Sequence, residues 1–275
     1  MLLEVKDLCI SFSDSQGGYN QVASNVSFSL TKGETLAIVG ESGSGKTVTA
    51  LSLMKLLPSE PVCKISGQIS LENEKNILNF SEKQIRHLRG SGIAYIFQAP
   101  STSLNPSLTV GFQVAEAVKL HQPSVNVKEM TYQLLGKVGL NPNICYYSYP
   151  FELSGGMQQR VMIAMALACN PKILVADEPT TALDVTLQKQ IIDLLRYLKE
   201  TEKLSIIIIT HNLSLIKNFA DKVVVMFRGK IVEQGSTDQI ISSPQHPYTK
   251  ALLQCVPSLK HPQERLKTIE DYQII

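Results

Sequence analysis

No stretch of this chain approaches the roughly 20 consecutive apolar residues needed to cross a bilayer. The longest candidate, Val161 to Cys169, lies between Arg160 and Asn170. Glu4, Lys6 and Asp7 interrupt the opening residues, so an N-terminal signal is not expected either. Cysteine is scarce and scattered: Cys9, Cys63, Cys145, Cys169 and Cys255 are odd in number and include no close pair of metal-site spacing. They read as small apolar or neutral residues of a chain kept in a reducing compartment. A surplus of one charge is also missing, since 26 Lys and Arg against 24 Asp and Glu leave a net charge of +2. Neither nucleic acid nor an anionic membrane is therefore a compulsory partner. No internal repeat of solenoid or propeller period appears. These absences predict a chain that stays in the cytosol and reaches a membrane only through a partner.

What is present is first a phosphate-binding pattern. Gly40, Glu41, Ser42, Gly43, Ser44, Gly45, Lys46 and Thr47 have the spacing of a loop whose glycines let backbone N–H groups converge on phosphate oxygens. Thr35 to Val39 reads as a buried strand feeding the loop, and Lys46 to Leu57 as a helix stopped by Pro58. A helix N-terminus adds partial positive charge where the phosphates would sit. In such a site Lys46 reaches the β- and γ-phosphates and the Thr47 hydroxyl ligates Mg²⁺.

The matching half is a carboxylate at the end of another buried strand. Ile173 to Ala176 form a short apolar run suited to a parallel strand, and Asp177 emerges at its carboxyl end, where α/β sheets place ligands. Glu178 follows, placed to polarise a water for in-line attack on the γ-phosphate. Alone, the acidic pair would read as a cap on the turn at Pro179; after a phosphate loop it reads as chemistry.

Together these residues resemble the nucleotide-binding subunits of ATP-binding cassette (ABC) transporters, over about residues 1 to 258. The resemblance implies roles motif by motif. Leu153, Ser154, Gly155, Gly156, Met157 and Gln158 look like the family signature, which contacts the γ-phosphate of the ATP held by the opposite subunit; Ser154 is a good cap, and the glycines let donors approach an anion. Gln98, after the strand-like Ile93 to Phe97, is similar to the glutamine that touches Mg²⁺ and water and couples to the membrane subunits. Ala182, Leu183 and Asp184 look like the loop crossing the dimer interface. His211, after Ser205 to Thr210, resembles the histidine that senses the γ-phosphate. A lone glutamine or histidine is more often a surface or core residue. The order of five elements, from phosphate loop through glutamine, signature and acidic pair to histidine, makes the joint pattern specific.

The family stacks adenine on an aromatic residue upstream of the phosphate loop. Tyr19 and Phe12 both compete for that place. Phe12 also continues the alternation of Leu8 and Ile10 along a half-buried strand, and Tyr19 is preferred. Outside the general motifs, Gln98 to Pro106 resembles the extended glutamine-loop region of the oligopeptide, dipeptide and nickel importers. Pro244 to Thr249, Ala251 to Leu253 and Val256 to Ser258 resemble the tail of that group, with Pro247 fit for a first helical turn and Tyr248, Leu252 and Leu253 packing on the domain. Ala99 stands where the group usually has Asp. Many peptide-importer members carry a cysteine cluster that binds iron and sulfur beyond the tail. Only Cys255 lies in that region here, so no such cluster is expected, and the shorter tail resembles nickel-type members.

The expected fold is thus α/β: a P-loop NTPase of ABC type with a mostly parallel core sheet, an N-terminal antiparallel β subdomain and an inserted helical subdomain. Residues 1–97 would hold the strands and phosphate loop, 98–168 the helical subdomain, 169–232 the rest of the core with Asp177 and His211, and 233–275 the tail. Helices are suggested around Val110 to Leu120, Val127 to Val138 and Ser154 to Ala168. A further amphipathic helix carries Leu187, Ile191, Leu194, Leu195 and Leu198 as core packing. The resemblance implies ATP and Mg²⁺ with Thr47, Gln98 and Asp177 as metal-binding residues. It also implies as partners a second homologous cassette or another copy, two transmembrane permease subunits and an extracytoplasmic binding protein. The chain would then sit at the cytoplasmic face of the inner membrane. A soluble ABC ATPase of DNA repair or translation usually carries tandem cassettes, long coiled coils or zinc-binding insertions, and none is visible. A kinase or GTPase is opposed by the signature.

Overall fold

The computed structural model describes residues 1–72, 76–181 and 183–254. The strands are β1 (Leu3–Ser13), β2 (Tyr19–Leu30), β3 (Thr35–Val39), β4 (Cys63–Leu71), β5 (Ile93–Ile96), β6 (Ile173–Asp177), β7 (Ser205–Thr210), β8 (Lys222–Phe227) and β9 (Lys230–Ser236). The helices are α1 (Lys46–Ser52), α2 (Glu82–Leu88), α3 (Pro100–Ser103), α4 (Val110–His121), α5 (Val127–Lys137) and α6 (Pro142–Cys145). They continue as α7 (Gly155–Ala168), α8 (Val185–Glu202), α9 (Leu213–Ile216), α10 (Thr237–Ser242) and α11 (Pro247–Gln254). The fold is α/β, with an antiparallel sheet and a mostly parallel mixed sheet. The chain divides into two compact units, one of residues 1–80 with the chain from 207 onward, the other of residues 81–206.

In the first unit β1 lies between β2 and β4 in an antiparallel sheet. Leu8 and Ile10 are fully buried, as their alternation requires, and Phe12 is half-buried. β3 pairs in parallel with β8, and β9 returns antiparallel to β8. Every residue of β3 is buried, which is why, after Thr35, Leu36 to Val39 reads as an unbroken apolar run rather than an alternating one.

The helix after the phosphate loop is shorter than the expected Lys46 to Leu57, because α1 ends at Ser52. The Lys55 N–H reaches Ser52 O and the Leu56 N–H reaches back to Leu51 O, with Lys55 at φ 49°. Those two bonds around a left-handed residue close a helix C-terminus. A glycine would have signalled that stop in the sequence; a lysine does not.

In the second unit β5 and β6 are parallel neighbours. Helices α4, α5 and α7 pack on one another. Each begins where a side chain accepts an orphan N–H: Thr109 from Phe112, Asn126 from Glu129 and Ser154 from Met157. Helix α8 buries Ile191, Ile192, Leu194, Leu195 and Leu198. Leu187, expected in the same stripe, is half-buried.

Candidate functional site

In the first unit, β3 ends in Gly40 and the chain turns through Glu41 to Gly45 into α1. A side chain at Gly40 would run into the carbonyl oxygen of Met226 on β8. At Gly45, the residue before α1, φ is +96° and a Cβ would lie 2.8 Å from the Val22 carbonyl oxygen. Both positions therefore need glycine, one for close approach and one for backbone conformation as well. The Gly229 N–H donates to the Ser44 carbonyl at 3.1 Å, fastening the loop to the β8–β9 turn.

Lys46 is only 4% exposed. Its ammonium donates to the carbonyls of Gly40 at 2.9 Å and Glu41 at 2.6 Å and to Ser44 Oγ at 3.3 Å. Those oxygens of its own loop offset the cost of burying the ammonium. Thr47, next in α1, is exposed at the same end. His211, also in this unit, is exposed directly after β7, where the Thr210 hydroxyl accepts the Asn212 N–H.

Tyr19 opens β2. Its hydroxyl donates to the Pro61 carbonyl at 2.8 Å, and the Lys64 ammonium lies 4.0 Å from its ring centroid. Phe12 on β1 pairs with Asn20 and Cys63.

In the second unit, Asp177 ends β6 and is 3% exposed. The Tyr95 hydroxyl on β5 donates to its Oδ2 at 2.7 Å. Burial and the neighbouring carboxylate push the Tyr95 hydroxyl well above its ordinary value, so it remains a proton donor. Glu178 follows with φ 45°, a backbone that costs a non-glycine residue about 1–3 kcal/mol and is held only by its surroundings. Those surroundings are Gln98, whose Nε2 donates to Glu178 Oε2 at 2.9 Å, and the Thr181 hydroxyl, which donates to the same oxygen at 2.8 Å. The structure thus brings Gln98, Asp177 and Glu178 into one cluster and adds Tyr95 and Thr181 to it. Neither addition had a sequence signal beyond its place beside a named motif.

The signature residues open α7. Ser154 caps it with an exposed side chain, Gly155 is exposed, Gly156 is buried against Leu187, and Gln158 Nε2 donates to the carbonyls of Pro150 and Leu153. Leu153 is buried and Met157 half-buried. Asp184 caps α8, its Oδ1 accepting the N–H groups of Thr186 and Leu187, with Leu183 before it. Ala182 lies outside the described residues, as do Cys255 and the tail segment Val256 to Ser258. The described cysteines are all free, and burial pushes the Cys169 thiol up to about 11. Among the described residues no helix is long and apolar enough to cross a membrane.

Comparison with known proteins places the chain in a family. The ABC transporter family matches residues 23–181, and the C-terminal region of oligopeptide/dipeptide transporters matches residues 232–274. The chain belongs to the ABC transporter family. It is an ATPase of that family and binds ATP. The oligopeptide transport ATP-binding protein OppD of Bacillus subtilis is 50% identical over 262 residues, covering 94% of this chain and 73% of that protein. The dipeptide transport ATP-binding protein DppD of Haemophilus influenzae is 46% identical over 272 residues, covering 98% of this chain and 82% of that protein. The dimeric post-hydrolysis structure of the ATP-binding cassette MJ0796 with ADP and Pi superposes with a TM-score of 0.75 at 25% identity, covering 86% of this chain and 99% of that one.

Proposed function

We propose that this ABC ATPase energises a membrane importer of short peptides. The observation that carries the cargo class is the match of residues 232–274 to the C-terminal region of oligopeptide/dipeptide transporters, supported by the likeness to OppD and DppD. In this reading Gly40 to Thr47 cradle the phosphates and Lys46 turns from its loop carbonyls to the β- and γ-phosphates. Tyr19 stacks on adenine. The donors of Thr47, Gln98 and Asp177 are all oxygens, the ligand type Mg²⁺ takes, and these residues would hold it. Bound there, the ion would supply charge neutralisation between the phosphates. Glu178, kept in place by Gln98 and Thr181, takes the proton of the attacking water, while His211 stabilises the γ-phosphate.

Two cassettes, this chain with a homologue or with another copy, close on two nucleotides, and Leu153 to Gln158 of each meets the γ-phosphate held by the other. Leu183 and Asp184 belong to the loop crossing that interface. Closure drives two permease subunits through residues near Gln98 to Pro106, in the helical subdomain of residues 98–168, and it does so only through its different affinity for their outward and inward states. A binding protein outside the membrane delivers the peptide, and the chain works from the cytoplasmic face. Purification from the native membrane in mild detergent tests this assignment. Permease subunits and a peptide-binding protein should accompany the chain, whereas recovery with no membrane partner would return it to the soluble ABC ATPases.

A further inference from the structure

The tail helix reaches the phosphate loop through one side chain. Tyr248, the second residue of α11, is fully buried, and its ring rests on Phe227 at the end of β8 with centroids 4.2 Å apart. Its hydroxyl oxygen accepts the backbone N–H of Glu41 at 2.9 Å, although 207 positions separate the two residues in sequence. Glu41 also supplies a carbonyl that accepts from the Lys46 ammonium at 2.6 Å. One residue of the loop is therefore held at its N–H by the tail and at its C=O by the lysine.

The helix that carries Tyr248 is itself anchored. Glu233 on β9 accepts the N–H groups of Gln245 at 2.8 Å and His246 at 3.1 Å. Burial alone would raise the Glu233 carboxyl, but the hydrogen bonds it accepts hold it below the ordinary carboxylate value, so it stays charged and accepting. His246 Nδ1 then accepts the Tyr248 N–H at 3.1 Å, fixing the first turn of α11. Backbone, ring and hydroxyl of Tyr248 thus have separate partners, and the hydroxyl is the group that meets the Glu41 N–H.

We propose that Tyr248 is a positioning residue for ATP: by holding the Gly40–Glu41 peptide at its N–H it fixes the Gly40 carbonyl of the same peptide plane, which accepts from Lys46 at 2.9 Å, and with it the approach of the Glu41 carbonyl, so that the loop meets the phosphates already arranged. The proposal rests on the reading of Gly40 to Thr47 as the ATP site. Preorganisation of this kind appears in affinity rather than in the chemical step.

Tyr248→Phe keeps the ring that rests on Phe227 and removes the hydroxyl, and with it the acceptor of the Glu41 N–H. With the full chain, ATP titrated calorimetrically against Tyr248→Phe should bind about three- to tenfold more weakly than against wild type, the loss of one intramolecular hydrogen bond. The KM for ATP should rise by a similar factor with kcat nearly unchanged. Without nucleotide, the Glu41 amide should be protected from hydrogen exchange in wild type and exposed in the variant. Equal ATP affinity in the two proteins overturns the proposal. So does a Glu41 amide that exchanges in wild type like an unprotected one, a result that needs no variant to fold. A wild-type chain that binds no ATP would instead remove the site reading beneath it, and the proposal with it.

Discussion

Glu178 sits in a backbone region that its side chain does not favour, with Gln98 and Thr181 both donating to one of its oxygens. Strain kept in place by two side-chain donors is what a residue selected for position rather than stability shows. Glu178→Gln should keep ATP binding and lose at least about a hundredfold in steady-state turnover, the low end of a general base's contribution. Hydrolysis at the wild-type rate would remove Glu178 from that role. Tyr95 makes a finer case. Its hydroxyl orients the Asp177 carboxylate, so Tyr95→Phe should raise the Mg²⁺ concentration for half-maximal hydrolysis about tenfold, as loss of a ligand's supporting partner does elsewhere. An unchanged Mg²⁺ requirement would show that Asp177 needs no such support. At this scale the residues legible in the sequence were those in contiguous motifs or, like Gln98 and His211, those at a set place in the order of motifs. Tyr95 and the hydroxyl of Tyr248 were not legible in this respect, because their partners lie 82 and 207 positions away and no local pattern encodes such a bond.

Elements were legible where burial is uniform or capping is local. β3 and β7 appear at the residues expected, since a strand buried on both faces is a run of apolar residues between breaks. The starts of α4, α5 and α7 follow from Thr109, Asn126 and Ser154, each accepting the N–H of the third residue of its helix. The end of α1 was missed because a lysine, not a glycine, takes the left-handed position at its close. The capping logic itself is testable at Asp184, whose single oxygen accepts two N–H groups at the head of α8. Asp184→Ala should lower stability in denaturant unfolding by about 1 kcal/mol. A loss near zero would mean that the stripe from Ile191 to Leu198 holds α8 without its cap.

For the whole molecule, 26 Lys and Arg nearly balance 24 Asp and Glu, and among the described residues no helix is long and apolar enough to cross a membrane. Its family was legible because the order of motifs survives in the sequence whatever the spacing between them. The cargo was not legible from chemistry, since no side chain described here has a reason to touch a peptide. It enters through the tail's likeness to one transporter group. The measurement that bears most directly on this account is ATP hydrolysis by the full chain assembled with its permease subunits in liposomes, with and without a peptide-loaded binding protein. The account predicts hydrolysis that rises with the loaded binding protein and falls away with Glu178→Gln; a rate indifferent to peptide, or one raised by nickel alone, would contradict it.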